Sequence, residues 1–353
     1  MIVTPEHPTE TSTRRREPSM EDVAREAGVS GQTVSRVVNA RGYVGAATRE
    51  RVEAAMNSLG YRPNSAARAL RSGRFRTIGV VMFSFSSYGN QRTLDAIAVR
   101  AAQLGYALTL IPVESSAGET VAGAFRRLEE HAVDGIIIVI EAHQLDEADI
   151  EIPDALPVVF VDSNRAETHP FVDTDQAQGA RLATEHLLEL GHDTVWHVAG
   201  PARSYSAERR REAWRQTLEA HGRAVPEPLS GDWTAASGYA AGRELRDLDA
   251  VTAVFVANDQ MAIGVLRAFR EAGRAVPEDV SIVGFDGLPD AAQLWPPLTT
   301  VQQHPERVGA LAVDALLAEL DGAGRQQTPL VGTELVVRAS TAAPRKIRGI
   351  SAR

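Results

Sequence analysis

From about residue 76 onward, apolar segments of strand length alternate with amphipathic segments of helix length. The strand candidates are 78–83, 107–113, 135–140, 158–161, 194–198, 253–256 and 281–285. Helix candidates between them include 92–104, 176–190, 207–221 and 260–272. An uninterrupted apolar run is how a strand buried on both faces reads, and a helix after each strand brings the next one back parallel. The alternation therefore predicts parallel, doubly wound sheets. About 265 residues are more than one such sheet usually needs, so two similar lobes are expected.

Composition narrows the function classes. With 44% hydrophobic and 24% charged residues, the 353-residue chain has ample material for a core. No run approaches the ~18 apolar residues of a membrane span. The N-terminal residues carry no apolar stretch of the secretory type, and the chain reads as cytoplasmic. Cysteine is absent, which removes disulfides, thiolate nucleophiles and Cys-ligated zinc. The histidines show no metal-ligand spacing, so no metal is expected. Neither a phosphate-cradling G-x-x-x-x-G-K-[ST] loop nor a G-x-S-x-G nucleophile elbow occurs.

Charge is unevenly placed. Residues 1–76 hold 13 Arg against 8 Asp or Glu, an excess of five cations in a chain whose net charge is −9, so the remainder carries −14. A basic head can attract a polyanion, whereas an acidic body limits where that polyanion sticks.

The head has the texture of three short helices. Residues 1–17, rich in Thr, Pro and Glu and ending in Arg14, Arg15 and Arg16, offer little to pack and read as a disordered tail. Ser19 followed by Asp22 resembles a capping box. Met20, Val23, Ala24 and Ala27 then form one apolar helix face, ended by Gly28. Ser30 caps a second helix, 31–39, with Val34, Val37 and Val38 inward. A third is expected to start at Thr48, to present Val52, Ala55, Met56 and Leu59 inward, and to stop at Gly60. A Gly turn between the first two helices makes a helix-turn-helix. The second helix turns Gln32, Thr33, Ser35, Arg36 and Asn39 outward, side chains suited to base edges and phosphates in a major groove. A short Ala-rich helix candidate follows at 65–71, with too little apolar face to be stable alone.

In doubly wound sheets ligands bind beyond the carboxyl ends of strands. Asp162, Asn258 with Asp259, and Asp286 stand at such ends. Asp and Asn there suit sugar hydroxyls, though an Asp after a strand can equally just start a turn.

Several longer stretches resemble the lactose-repressor (LacI/GalR) family. They are Met20-Glu-Asp-Val-Ala-Arg-Glu-Ala-Gly-Val-Ser30, Thr33-Val-Ser-Arg-Val-Val-Asn39, Thr48–Met56 with Leu59–Asn64, Glu185–His192, Val256–Gly264, Ser281–Asp286 and Pro297–Thr300. The likeness covers roughly residues 18–342. Gly231–Thr234 and Ser206–Trp214 are similar to sugar-contact segments of the family's lactose-responsive branch. The resemblance implies a two-lobed core like a periplasmic binding protein behind an all-α headpiece. It implies base reading by Gly31, Gln32 and Arg36, with Ser19, Thr33, Ser35 and Asn39 positioning the backbone. A hinge around Asn64, Ala67 and Leu70 would place Leu70 as a minor-groove wedge. Asp162, Arg210, Asn258 and Asp286 would meet galactoside hydroxyls, Trp233 would form the aromatic wall, and Gln303 would sit near the pocket at a lobe crossover. Two features depart from that branch. Gly31 replaces a Tyr, which implies a different operator. Phe83, Ser87, Gly89 and Asn90 stand where that branch has small or aliphatic pocket residues, which changes one side of the pocket.

The resulting expectation has five parts: a tail at 1–17, a headpiece at 18–62, a hinge at 63–75, an effector-binding and dimerisation core at 76–342, and a flexible tail at 343–353. Lobe 1 is expected at about 76–174 and 303–333, and lobe 2 at about 175–302 and 334–342. The expected protein is a homodimeric repressor of a pseudo-palindromic operator, released by a galactoside or related glycoside and needing no cofactor. The competing readings are a family member sensing a purine or other non-sugar effector, a sugar carrier, and a glycoside-acting enzyme.

Overall fold

A computed structural model describes residues 18–39, 42–62, 73–82, 87–113, 123, 127–128, 130, 132–139, 156–162, 169–323 and 330–345. The chain divides into two compact units, 1–75 and 76–353. The N-terminal tail, Asn64, Ala67, Leu70 and the helix expected around them, Phe83, and most of the C-terminal tail lie outside the described residues.

In the first unit, helix α1 (Met20–Ala27) opens with the expected capping box and ends at Gly28 with φ +65°. Helix α2 (Gly31–Val38) is capped by Ser30, whose hydroxyl accepts the Thr33 N–H. Helix α3 runs Ala46–Leu59, two residues earlier than expected. Ala46 and Ala47 are the best helix formers and extend the helix backwards, so Gly45 takes the cap position and Thr48 falls in the first turn. Val23, Ala24, Ala27, Val34, Val37, Val52 and Ala55 form the core of this unit. These small side chains let three short helices approach closely.

The second unit contains two sheets. Strands β1 (Thr77–Met82), β2 (Ala107–Pro112), β3 (Gly135–Val139), β4 (Val158–Val161) and β5 (Phe171–Val172) form an all-parallel sheet in the order β2-β1-β3-β4-β5. Strands β6 (Trp196–Ala199), β7 (Leu229–Ser230), β8 (Ala253–Val256), β9 (Ser281–Asp286), β10 (Thr299–Gln302) and β11 (Glu334–Val336) form the other, in the order β11-β10-β9-β8-β6-β7. Only β11 runs antiparallel to its neighbour.

Helix α4 (Tyr88–Gln103) lies on the first sheet. Helices α5 (Gln176–Glu189), α6 (Tyr205–Ala220), α7 (Ala235–Leu245) and α8 (Asp259–Glu271) belong to the second. Helix α9 (Pro305–Leu320) returns to the first sheet, packing on α4 and on β3 and β4. The chain thus crosses between lobes near 173–175, again at 303–304, and again at 331–333, where Val331 bridges Thr174 before β11 joins the second sheet. Each sheet carries an apolar cluster on both faces, which explains why its strands read as unbroken apolar runs.

Candidate functional site

The crossings bring strand ends and helix N-termini of both lobes around one cleft. It is lined from lobe 1 by Ser87, Gly89, Asn90 and Thr93 of the α4 region, Val161, Asp162, and Pro305 and Val308 of α9. Lobe 2 contributes Ser206, Arg210, Trp233, Asn258 and Asp286, and the crossovers contribute Asp173, Gln176 and Gln303. The expected Asn90, Asp162, Arg210, Trp233, Asn258, Asp286 and Gln303 are therefore brought together. Ser206 begins the 206–214 segment whose likeness to a sugar-contact segment was noted, whereas Asp173, Gln176 and Thr93 were not foreseen. Asp173 and Gln176 flank a crossover, and no local pattern marks such a position.

Arg210 is at the centre and only 4% exposed. Its Nε donates to Gln176 Oε1 at 2.8 Å and its Nη1 to the Ala257 carbonyl. Its guanidinium stacks 3.8 Å from the Phe285 ring centroid and lies 5.4 Å from that of Trp233. Asp286 Oδ1 is 3.7 Å away and accepts a 2.6 Å bond from Gln303 Nε2. Two of its donors already hold protein groups, because a buried guanidinium needs fixed partners inside the fold. Asn258 is similarly committed. It caps α8 by accepting the Met261 N–H at 2.9 Å and donates to the Trp233 carbonyl at 3.1 Å.

Carboxylates outnumber cations here. Burial pushes Asp286 up to about 6, against the opposing pull of Arg210 and the Gln303 bond. Behind it, fully buried Asp259 accepts from Thr300 Oγ1 at 2.6 Å and from the Leu288 N–H at 2.8 Å. Burial, and then the nearby Asp286 charge, push it up to about 8. Burial and neighbouring Asp162 also raise Asp173 well above the usual carboxylate range. Burial in turn lowers the Arg210 pKa, which the surrounding aspartates oppose.

The backbone is strained at the same place. Asp162, Trp233 and Asp286 have φ of +58°, +73° and +112°, a region that residues with a Cβ rarely enter. Such conformations persist only where surrounding structure enforces them, and they gather at functional sites. Gly200 underlies the Trp233 indole so closely that any Cβ there would collide with the ring.

In the headpiece, the outward face of α2 divides into two sets. Gln32 and Arg36 are exposed, with Gly31 half-buried at the helix start. Thr33, Ser35 and Asn39 are tied locally. Thr33 Oγ1 pairs with Ser30 Oγ at 2.9 Å, and Asn39 Nδ2 donates to the Ser35 carbonyl at 2.6 Å.

Comparison with known proteins gives these sites a context. Residues 19–64 match the model of bacterial regulatory proteins of the lacI family, and residues 184–341 match that of periplasmic binding protein-like domains. The chain is 38% identical over 328 residues to the lactose operon repressor of Escherichia coli, covering 92% of this chain and 90% of that protein. The chain belongs to the LacI family. It is also 36% identical to the HTH-type transcriptional regulator CelR of Thermobifida fusca, over 93% of this chain and 99% of that protein. The ribose operon repressor of E. coli is 30% identical, over 92% and 99% respectively. Among solved structures, the Lac repressor dimer bound to operator and the anti-inducer ONPF matches with a TM-score of 0.83 at 36% identity, covering 93% of this chain and all of that one. The CelR–cellobiose complex matches with a TM-score of 0.63 at 32% identity, covering 92% of this chain and 99% of that one.

This LacI-family member is a DNA-binding transcriptional repressor with a small-molecule effector, and not an enzyme. Among the described residues no cluster of His, Asp and Glu could hold a metal ion, and no helix is long and apolar enough to cross a membrane.

Proposed function

We propose that a small neutral sugar, a galactoside or closely related glycoside, is the effector that releases this repressor from its operator. The observation that carries the reading is the donor–acceptor balance of the cleft. Asp162, Asp173 and Asp286 face one arginine whose donors are partly spent. Such a site favours a ligand rich in hydroxyl donors and repels phosphates and carboxylates. Trp233 supplies an apolar face for the C–H side of a pyranose. The galactose wager is supported by the 38% identity to the lactose operon repressor. A glucoside is the second reading, supported by the CelR relative and its complex with cellobiose.

On the DNA side, Gln32 and Arg36 carry the base contacts, and Gly31 lets the helix start approach the groove closely. One helix-turn-helix reads few base pairs, so a homodimer reads a pseudo-palindrome. Leu70 wedges the central step from the hinge, and Asn64 and Ala67 accompany it. Effector held between the lobes biases them toward one arrangement, and that bias weakens the grip on DNA. The test is release of selected operator DNA titrated with matched galactosides and glucosides. Release by sugars supports the reading; release by a purine or a phosphorylated metabolite, with none by sugars, overturns it.

A further inference from the structure

Lobe 2 has a second opening, between α7 and the β7 edge of its sheet. It is an open cavity of about 470 Å³, lined by Trp196 of β6, by residues 227–230, and by Ala240, Glu244, Leu245 and Leu248 of α7 and the turn after it. It shares no lining residue with the effector cleft. A volume of this order is typical of small-molecule sites. The sequence makes the gap. β7 is two residues long and pairs with β6 only at Val198 and Ala199, so Trp196 and His197 have no strand beside them on that side. Pro226 and Pro228 precede β7, and a proline has no N–H to give a ladder, so this segment does not extend β7 toward Trp196. On the facing wall, the Ala240 side chain is too small to fill the space.

Two tryptophans of this lobe show the difference between a core ring and a ring at a site. Trp214 is 1% exposed, and its N–H donates to the Val195 carbonyl at 2.9 Å. Trp196 is half-buried, rests against the apolar core and lines the cavity, and its N–H meets no acceptor among the described residues. Packing alone does not account for it, since a buried indole N–H usually finds a partner. The charges are equally one-sided. Glu227 and Glu244 stand exposed on opposite walls, and no Lys or Arg is among the described lining residues. Neither carboxylate has an ion-pair partner among the described residues. Elsewhere on the lobe Arg215 matches Glu212 and Glu219, and Arg267 matches Glu271.

We propose that this cavity is a second ligand site, which takes a small organic cation: an ammonium group carried on an apolar ring or chain. The indole ring attracts the cation, the carboxylates of Glu227 and Glu244 pair with it, and Leu229, Leu245 and Leu248 cover the apolar body. The same two carboxylates repel anions, so phosphorylated and carboxylated metabolites are excluded. The site is independent of the sugar reading, because no residue is common to the two.

The experiment titrates the full-length repressor with phenethylamine, 2-phenylethanol and 3-phenylpropanoate, which share one apolar body and differ in charge. Binding is read by calorimetry and by tryptophan fluorescence. The amine should bind about fivefold or more tighter than the alcohol, and the carboxylate weakest of the three. Glu227→Gln and Glu244→Gln, both at exposed positions, should each cut the preference for the amine about twofold or more and leave the alcohol unchanged. Trp196→Phe should remove the fluorescence change, and Ala240→Phe, which fills the cavity, should abolish binding of the amine. No binding of the amine to the wild type, or equal binding of all three probes, overturns the site and needs no variant to fold. The effector cleft also sets a tryptophan among carboxylates, so location is decided by the cavity variants. An amine preference that survives unchanged in both Glu→Gln variants and in Ala240→Phe puts the cation elsewhere and overturns the site as well.

Discussion

The headpiece and the cleft both recognise polar partners, but with opposite constructions. Gln32 and Arg36 extend from α2 into solvent over a core of small apolar residues. Arg210, Asp286 and Gln303 are buried, and each is held by another protein group. A DNA surface is large and charged, so long-range attraction finds it and exposed side chains can adapt to it. A small-molecule effector, a neutral sugar in our proposal, offers little charge to steer it, so its site gains specificity from groups fixed before it arrives. Function and stability should therefore be separable in the headpiece and inseparable in the cleft.

The largest expected effect tests the inseparable side. Arg210→Ala removes the only arginine among the described cleft residues and leaves Asp286 buried beside Asp162 and Asp173 without it. Breaking a buried charge network from one side costs about 3–5 kcal/mol. Urea unfolding should show a loss of that order, together with loss of sugar response. An Arg210→Ala protein that ignores sugar but unfolds like the wild type would break the contrast between the two regions.

The headpiece tests the separable side. Arg36→Ala and Gln32→Ala should each lower discrimination among operator variants by about 1–3 kcal/mol, measured by competition binding. Neither should change unfolding by more than about 0.5 kcal/mol, because both side chains leave the core untouched. A large stability loss in either variant would show that the exposed face is also structural.

A smaller, pH-dependent effect sharpens the same contrast. The carboxyls of Asp286 and Asp259 rise in the fold to about 6 and about 8 because burial penalises their charged forms. The native state then binds more protons than the unfolded chain above the ordinary carboxylate range, so stability falls as pH rises through these values. Thermal melting of the second unit should drop from pH 5 toward pH 8.5, and Asp259→Asn should flatten the part above pH 6. Sugar affinity should move the other way near pH 6, because ionised Asp286 is the better acceptor for hydroxyl protons. Melting that is flat across this range would show that the buried carboxyls are compensated elsewhere.

How much of this was legible in the sequence follows from the range of each signal. The capping box at Ser19, Gly28 closing α1 and the Ser30 cap are local, and each stands where the residues place it. The long apolar runs marked β1, β3, β4, β8 and β9 because full burial imposes a run. β5 and β7 are two residues long and β11 three, too short for any periodicity, and they exist only because a sheet edge receives them. Asp162 and Asp286 were visible as polar residues at strand ends. Asp173, Gln176 and Thr93 were not, because their role depends on crossovers and on α9 returning to lobe 1 after a long separation in sequence.

The smallest effect concerns Ser19, for which two roles compete. A backbone-positioning contact to DNA would require its hydroxyl to donate to a phosphate oxygen, which can only accept. A serine hydroxyl has one proton, and here it goes to Asp22 Oδ2 at 2.7 Å, while the same oxygen accepts the Asp22 N–H at 3.3 Å. The Ser19 N–H is also given to Asp22, at 2.9 Å. Capping thus uses what a phosphate contact would need. Ser19→Ala should cost the headpiece about 1 kcal/mol, whereas Ser19→Gly should cost only a few tenths, since glycine is itself tolerated at the cap. Operator affinity should follow that order, with Ser19→Gly close to the wild type and its salt dependence unchanged. If the two variants instead weaken binding equally and lower the slope of affinity against salt by about one ion, the hydroxyl reaches a phosphate on DNA and the cap opens to let it.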